Sequence, residues 1–195
     1  SVVTICCNNV LSVTGGDVYI SVMTIISSVR QMVETPIYAI TEGSSPIISY
    51  NYGAGNSNRV RRAYRLLLIC SVCYAMLFCL LIQLFPGVFA AIFTSNAELL
   101  AFTKPMLRIY TLALGLFGIQ IACQMTFTAL GNAKASIIVA VMRKFILLLP
   151  LIYMMPHLYT ADLTKAVFMA EPVADVLAVA FTGVLFFFEF RKALR

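Results

Sequence analysis

The chain has 195 residues, of which 61% are hydrophobic and only 11% are charged, and its formal net charge is +6. Soluble domains are about 45–50% apolar and about 25% charged, so the composition excludes a disordered chain and argues against a soluble globular enzyme. The 14 basic residues are scattered between apolar runs, which argues against nucleic-acid binding and leaves a membrane protein with several spans.

Two long uncharged runs support a helical membrane protein. Residues 66–97 and 109–133 contain no charged side chain, and each run is longer than the about 20 residues that a helix needs to cross the hydrocarbon core. Neither run alternates in the way that a strand of a membrane barrel requires. The sequence therefore predicts an all-α membrane protein.

One domain over residues 1–195 is expected to form a six-helix transmembrane bundle with one partial span and five full ones. The partial span, 1–14, is too short to cross a bilayer at about 1.5 Å per residue. Its start at Ser1 favours a larger protein cut inside a helix, so the first helix is expected to be truncated. A signal peptide is the alternative, but a basic leading region and a cleavage pattern are missing. The full spans are expected at about 17–50, 63–85, 104–130, 134–155 and 163–189.

Basic residues in the predicted loops indicate the orientation. Alternating spans place ten Lys and Arg residues on one side of the membrane and only three, Lys104, Arg108 and Lys165, on the other. Cytoplasmic loops are enriched in such residues, so we expect a multi-pass protein of the cell membrane with a cytoplasmic C-terminus and a basic face that contacts anionic lipid. The ten are Arg59, Arg61, Arg62, Arg65, Lys134, Arg143, Lys144, Arg191, Lys192 and Arg195.

The span predicted at 17–50 carries a polar stripe. Ionisable residues inside a bilayer are costly unless they are paired or hydrated, so each one is a candidate for function. Arg30 and Glu34 lie one helical turn apart and can pair. The stripe is either a hydrated, substrate-facing wall with a titratable carboxylate or an ion pair that only holds the bundle together. Its members recur every three or four positions: Thr24, Ser27, Arg30, Glu34, Tyr38 and Thr41.

A second stripe consists of Gln120, Gln124 and Thr128 in the span predicted at 104–130. Amides can form hydrogen bonds with a substrate but do not exchange protons near neutral pH. The stripe lines a cavity or, alternatively, joins neighbouring helices through bonds worth about 0.6–2 kcal/mol each.

Two carboxylates one turn apart, Glu171 and Asp175, form the third candidate. Like charges at this spacing repel, and a low dielectric strengthens the repulsion, so one of the two is expected to hold a proton more readily than a free carboxylate does. That property suits proton-coupled transport, and Asp175 is favoured because it lies deeper in the span. Glu171, which precedes Pro172, suits the first turn of a helix instead.

Motifs for enzymatic chemistry are missing from the sequence. Cys70 and Cys73 have C-x-x-C spacing, but both fall inside a predicted span without a nearby His or second pair. Walker, G-x-S-x-G and H-E-x-x-H patterns do not occur. We therefore expect a protein that is not an enzyme and that needs neither a metal nor an organic cofactor.

Residues 43–54 carry the pattern G-x-x-P-x-x-x-Y-N-x-G-A, which resembles a motif of the multidrug and toxic compound extrusion (MATE) family. In that family the motif ends a helix at a cytoplasmic loop. Residues 129–134, and Pro172 with Asp175, follow in the order expected of the family. The resemblance covers nearly the whole chain and matches the C-terminal half, helices seven to twelve. The motif residues are Gly43, Pro46, Tyr50, Asn51, Gly53 and Ala54.

The resemblance implies one lobe of a twelve-helix transporter, built from two six-helix lobes around a central cavity. It also implies export of small amphipathic, mostly cationic substrates by alternating access, in exchange for H⁺ or Na⁺, and a missing N-terminal six-helix half as partner. In some members, carboxylates on helices seven and ten bind the coupling ion. Here the matching segments offer no acid, so we expect H⁺ coupling, through the N-terminal half or through Glu34 or Asp175. The expected pathway residues are Arg30, Glu34, Tyr38, Gln120, Gln124 and Asp175.

Two other functions compete with multidrug efflux. A lipid-linked saccharide flippase of related fold would need a strongly cationic cavity, and Arg30 is the deep cation that the sequence offers. A non-transporting membrane scaffold would turn its polar stripes toward other helices and would have no open cavity.

Overall fold

The computed structural model describes residues 2–14 and 16–194, and these residues form eight helices without a β-strand. The all-α fold predicted from the sequence is therefore confirmed. The helices are α1 (Val2–Thr14), α2 (Asp17–Gly53), α3 (Ser57–Leu84), α4 (Pro86–Ala91), α5 (Ala97–Tyr110), α6 (Leu114–Ala129), α7 (Ala133–Leu158) and α8 (Leu163–Ala193).

Three helices, α3, α7 and α8, are long and apolar enough to cross a membrane, and α5 with α6 forms a fourth candidate that is bent by 52°. Helix α2 has 37 residues but is not among these candidates, so its assignment as a span stays a prediction. Large apolar side chains on α3, such as Leu66, Leu77 and Leu80, are more than half exposed. An apolar outer surface of this kind suits contact with lipid tails.

The span predicted at 104–130 is two helices, because the backbone leaves the helical path at residues 111–113. The last carbonyl groups of α5 accept hydrogen bonds from side chains. Nε2 of Gln83 donates to the carbonyl of Arg108 at 2.8 Å, and the hydroxyl of Thr111 donates to the carbonyl of Leu107 at 2.7 Å. A helix can end inside a bundle when its last carbonyls are satisfied in this way.

Helix α2 runs three residues beyond its predicted end at position 50 and stops at Gly53. The turn that follows contains Gly55 at φ +71°, a left-handed conformation that glycine adopts without steric cost. Pro36 and Pro46 lie inside α2 without dividing it into two helices. The connection between the spans predicted at 17–50 and 63–85 is therefore reduced to residues 54–56.

The core lies where α2, α6 and α8 meet. Buried side chains on α2 recur every three or four positions, which matches one face of a helix. Helices α3 and α6 approach closely at Gly118, where an added Cβ would lie 2.6 Å from the carbonyl oxygen of Ser71. Small residues permit such approaches between helices in membranes. The α2 face comprises Val22, Ile26, Val29, Val33 and Ile37, and it packs with Leu114, Phe117, Ile121, Val167 and Phe168.

Candidate functional site: a buried ion network

Five charged side chains from three helices meet inside the bundle. Helix α2 supplies Arg30 and Glu34, α7 supplies Arg143, and α8 supplies Glu171 and Asp175. The side chains of Arg30, Glu171 and Asp175 are at most 7% exposed, that of Arg143 is 11% exposed and that of Glu34 is 18% exposed. We call these five residues the ion network.

Arg143 holds both carboxylates of α8. Its Nη2 lies 2.7 Å from Oδ1 of Asp175 and 2.9 Å from Oε1 of Glu171, and its Nε donates to the same Asp175 oxygen at 2.9 Å. Charge-assisted bonds of this length are among the stronger polar contacts in proteins. Arg143 therefore stabilises the two acids where they lie one turn apart.

Arg30 contacts all three acids of the ion network. Its Nη2 donates to Oδ2 of Asp175 at 2.9 Å, and its Nη1 lies 3.0 Å from Oε1 of Glu171. Its Nε donates to Glu34 one turn further along α2. The predicted pairing of Arg30 with Glu34 is present. The polar stripe of α2 and the two carboxylates of α8 meet at this guanidinium.

Aromatic rings form one wall of the ion network. The guanidinium carbon of Arg30 lies 5.0 Å from the ring centre of Phe117 on α6 and 5.5 Å from that of Tyr110 on α5. Arg143 lies 4.7 Å from the same Phe117 ring. Cations gain electrostatic stabilisation over aromatic faces, and the gain rises when water is excluded. Phe117 thus supports both arginines at once.

A π-helical segment, Met142–Leu148, places Arg143 in α7. π-Helical turns are rare and occur often at functional sites because they insert one extra residue into a helix. Arg143 is only 9% exposed, whereas the distribution of basic residues predicts it in a cytoplasmic loop. That assignment is wrong, and Lys144, which lies in the same segment of α7, is not a loop residue either. Position 143 lies inside the span predicted at 134–155, so an arginine within an apolar span was the signal that the sequence offered for this residue.

Glu171 also differs from its sequence interpretation. Helix α8 begins at Leu163, after Asp162 caps it, so Glu171 and Pro172 lie in its interior and not in its first turn. The repulsion expected between Glu171 and Asp175 is offset, because each arginine lies within 3.0 Å of both carboxylates. The one-turn spacing correctly predicted that Glu171 and Asp175 lie close together. The two arginines that compensate their charge belong to α2 and α7, and the sequence does not show that these helices pack against α8 at this point.

The formal charge of the ion network is uneven, since two guanidinium groups face three carboxyl groups. With all five groups ionised, one negative charge is uncompensated inside the bundle. Isolated buried charge is costly, so one proton or one small cation would balance the ion network. Glu34 is the most exposed of its acids.

The two glutamines of the predicted pathway, Gln120 and Gln124, are buried to different extents. Gln120 is 2% exposed, accepts a hydrogen bond from Thr182 at 2.7 Å and leaves its buried Nε2 without a partner. Gln124 is half-buried on the next turn of α6. Tyr38, one turn beyond Glu34, is 41% exposed. Gln120 therefore joins α6 to α8, while Tyr38 extends the accessible edge of the ion network.

The residues of the G-x-x-P-x-x-x-Y-N-x-G-A motif lie together at the end of α2, away from the ion network. Gly43 and Pro46 are exposed on the last turns, and Tyr50 is 76% exposed. Asn51 is buried, and its Nδ2 donates to the carbonyl of Ile47 at 2.8 Å. Gly53 is the last residue of α2, and Ala54 caps it. The motif ends a helix, as the resemblance implied.

In the part of the chain that the structure describes, no cluster of three or more His, Cys, Asp or Glu side chains is arranged to hold a metal ion. The ion network does not form such a cluster, because its carboxylates are directed at the two guanidinium groups.

Known structures share this fold. An outward-facing multidrug resistance MATE family transporter of the MOP superfamily matches with a TM-score of 0.90 at 18% identity over 98% of the chain. An inward-facing transporter of that description matches with a TM-score of 0.88 at 18% identity over 96% of the chain. A MOP superfamily transporter from Pyrococcus furiosus, described as having a binding pocket of reverse polarity, matches with 0.90 at 17% identity over 100%.

The chain spans 43% of the length of each of these transporters. No curated protein sequence matches the chain. The family model MatE matches residues 1–154, which include α1 to α6 and most of α7. The chain therefore belongs to the MatE family of membrane transporters, and its fold is that of one part of a MATE transporter.

Proposed function

We propose that the chain is the C-terminal lobe of a secondary active multidrug exporter that exchanges amphipathic cations for protons by alternating access between two lobes. Membership of the MatE family supports transport, and coverage of 43% of the solved transporters fits one lobe. The intact protein then contains a second six-helix lobe and lies in the cell membrane, with the basic C-terminal end of α8 in the cytoplasm.

The charge imbalance of the ion network is the observation that carries proton coupling. Three carboxylates share two guanidinium groups, and Glu34 lies at the accessible edge. A proton that enters at Glu34 neutralises the surplus charge, and its release restores that charge. Proton binding and substrate release can then be linked, because each changes the electrostatic balance inside the same lobe. A carboxylate in the N-terminal half is the other possible proton site.

Alternating access requires lobes that move with little internal change. The chain matches the outward-facing transporter with a TM-score of 0.90 and the inward-facing one with 0.88. This similarity to both conformations supports a lobe that rocks as one body. The ion network joins α2, α7 and α8 and gives the lobe internal cross-links that survive such motion.

The contacts of the ion network also distinguish the exporter from a flippase and from a scaffold. A flippase for anionic lipid-linked saccharides needs uncompensated cations, but Arg30 and Arg143 both contact carboxylates. A scaffold would bury its polar residues between helices, and Asp175 and Gln120 fit that description. The 41% exposure of Tyr38, one turn from Glu34, supports the exporter instead, because an exposed side chain beside the ion network can contact a substrate.

The test is transport by the intact protein in proteoliposomes, with ethidium as a cationic amphipathic probe and an imposed pH gradient. We expect Glu34→Gln and Asp175→Asn each to lower ethidium/H⁺ exchange at least tenfold. Glu42→Gln is the matched control, since Glu42 is an exposed acid on the same helix outside the ion network. A sodium gradient applied at constant pH separates Na⁺ coupling from H⁺ coupling.

Each outcome decides a different part of the proposal. Exchange at the wild-type rate in both variants would remove Glu34 and Asp175 from coupling and place the proton site in the other lobe. Exchange driven by sodium alone would overturn the choice of ion. An intact, folded protein without ethidium flux under either gradient would contradict multidrug export.

A further inference from the structure

A groove of about 460 Å³ opens between α3, α6 and α8, outside the ion network. Cavities of this size suit small ligands and lipid chains. The groove has a basic mouth, an aromatic floor and a glycine in its wall. Residues that define these three features are Arg61, Tyr64, Gly183, Phe186, Phe187 and Arg191.

Arg61 and Arg191 form the mouth of the groove. Both are exposed, and within residues 2–14 and 16–194 neither guanidinium forms a salt bridge. Arg191 lies 5.7 Å from the ring centre of Phe187, which holds its charge over the groove. Two unpaired guanidinium groups at one opening are suited to an oxyanion such as a phosphate.

The floor is apolar and stacked. The rings of Tyr64 and Phe186 are 4.5 Å apart, and those of Phe186 and Phe190 are 4.7 Å apart. A Cβ added at Gly183 would meet no atom within 4 Å, so the glycine leaves open space beside these rings. A straight hydrocarbon chain can occupy this space without any movement of the helices.

We propose that this groove binds one anionic phospholipid, with its phosphate at Arg61 and Arg191 and an acyl chain along Gly183 and Phe187. Basic pockets between transmembrane helices are suited to acidic headgroups at the cytoplasmic leaflet. A free anion would gain nothing from the apolar floor, and a zwitterionic lipid such as phosphatidylcholine would bring a quaternary ammonium cation to the two arginines together with its phosphate. The combination of unpaired cations and an empty apolar wall favours an anionic lipid over both.

Native mass spectrometry of the intact protein, with phosphatidylglycerol and phosphatidylcholine of identical acyl chains, tests the headgroup. We expect the double substitution R61Q/R191Q to weaken binding of the first phosphatidylglycerol molecule at least tenfold. The matched control R62Q/K192Q removes the same charge from neighbouring exposed positions that do not line the groove, and it should change binding less than twofold. Equal losses in both double variants would overturn the site.

Gly183→Leu tests the acyl part of the same site. The larger side chain should fill the wall and lower phosphatidylglycerol occupancy about tenfold, while Gly183→Ala, which leaves part of the space, should have a smaller effect. Unchanged lipid binding in Gly183→Leu would contradict the proposal. Equal binding of phosphatidylcholine, or a protein dimer that Gly183→Leu dissociates, would likewise overturn it, the latter because the groove then holds a second copy of the chain.

Discussion

Arg143 and Asp175, 32 positions apart in the sequence, are joined by two contacts to one oxygen, from Nε at 2.9 Å and from Nη2 at 2.7 Å. The same carboxylate receives Arg30 on its other oxygen at 2.9 Å. Asp175 is therefore held from two helices and is 1% exposed. Its position at the centre of the ion network makes it the acid on which the packing of α2, α7 and α8 depends most.

Asp175→Asn should destabilise the lobe strongly. Asn keeps an oxygen that can accept from one guanidinium group but presents its N–H₂ group to the other, and a buried donor that loses its acceptor costs about 1–3 kcal/mol. Denaturant titration of the intact protein in detergent measures the change in the free energy of unfolding. Glu34→Gln is the control and should cost less than about 1 kcal/mol, because Glu34 accepts from one guanidinium group and Gln keeps an oxygen that can still accept from it. Equal losses in both variants would mean that Asp175 has no special structural role.

Gly118→Ala should lower the thermal stability because the new Cβ would lie 2.6 Å from the carbonyl oxygen of Ser71, a backbone atom that cannot rotate away. Overpacking of this kind costs about 1–3 kcal/mol. Gly183→Ala on α8 is the matched control, since its Cβ meets nothing within 4 Å. Differential scanning fluorimetry of both variants provides the comparison, and an unchanged melting temperature for Gly118→Ala would refute the close approach of α3 and α6.

Thr182→Val should destabilise the contact between α6 and α8 by about 1 kcal/mol, because Gln120 then loses its partner at 2.7 Å while its Nε2 is already unpaired. Replacing both residues, as Gln120→Leu with Thr182→Val, should cost less than the sum of the single changes, since no buried polar group remains. A double-mutant cycle on the free energy of unfolding measures the coupling. Strict additivity would show that this hydrogen bond contributes nothing.

Asp162 should make the start of α8 sensitive to acid. The backbone N–H of Lys165 donates to its carboxylate at 3.0 Å, and with the Lys165 ammonium at 3.1 Å this lowers the pKa of Asp162 below its ordinary value. A carboxyl whose pKa is lowered in the folded state stabilises it above the unfolded pKa of about 3.9 and loses that effect as the pH falls through the folded value.

Asp162→Asn keeps a capping oxygen but cannot carry the charge. The wild-type protein should therefore melt above the variant at pH 7, and the difference should begin to shrink below about pH 3.9 and disappear below the lowered pKa of Asp162. Melting temperatures at four pH values, about 7, 5, 3.5 and 2, provide the measurement. A difference that stays constant across this range would show that the charge of Asp162 does not stabilise α8.

The sequence by itself determined the all-α class, since uncharged runs as long as 66–97 and 109–133 admit few alternatives. It also determined the pairing of Arg30 with Glu34, because residues four apart on a helix share a face. The motif at residues 43–54 was sufficient to indicate the family and the end of a helix at Gly53.

Only the tertiary structure decided that the acids of α8 are compensated and by what. The distance in sequence between Arg30, Arg143 and Asp175 carries no information about their contact, which arises from the packing of three helices. The break between α5 and α6 depends on a hydrogen bond that Gln83 donates from α3. The π-helical turn that directs Arg143 inward depends on the backbone hydrogen bonds within α7. Periodicity places a residue on a face of its own helix, but packing alone determines which neighbour that face meets.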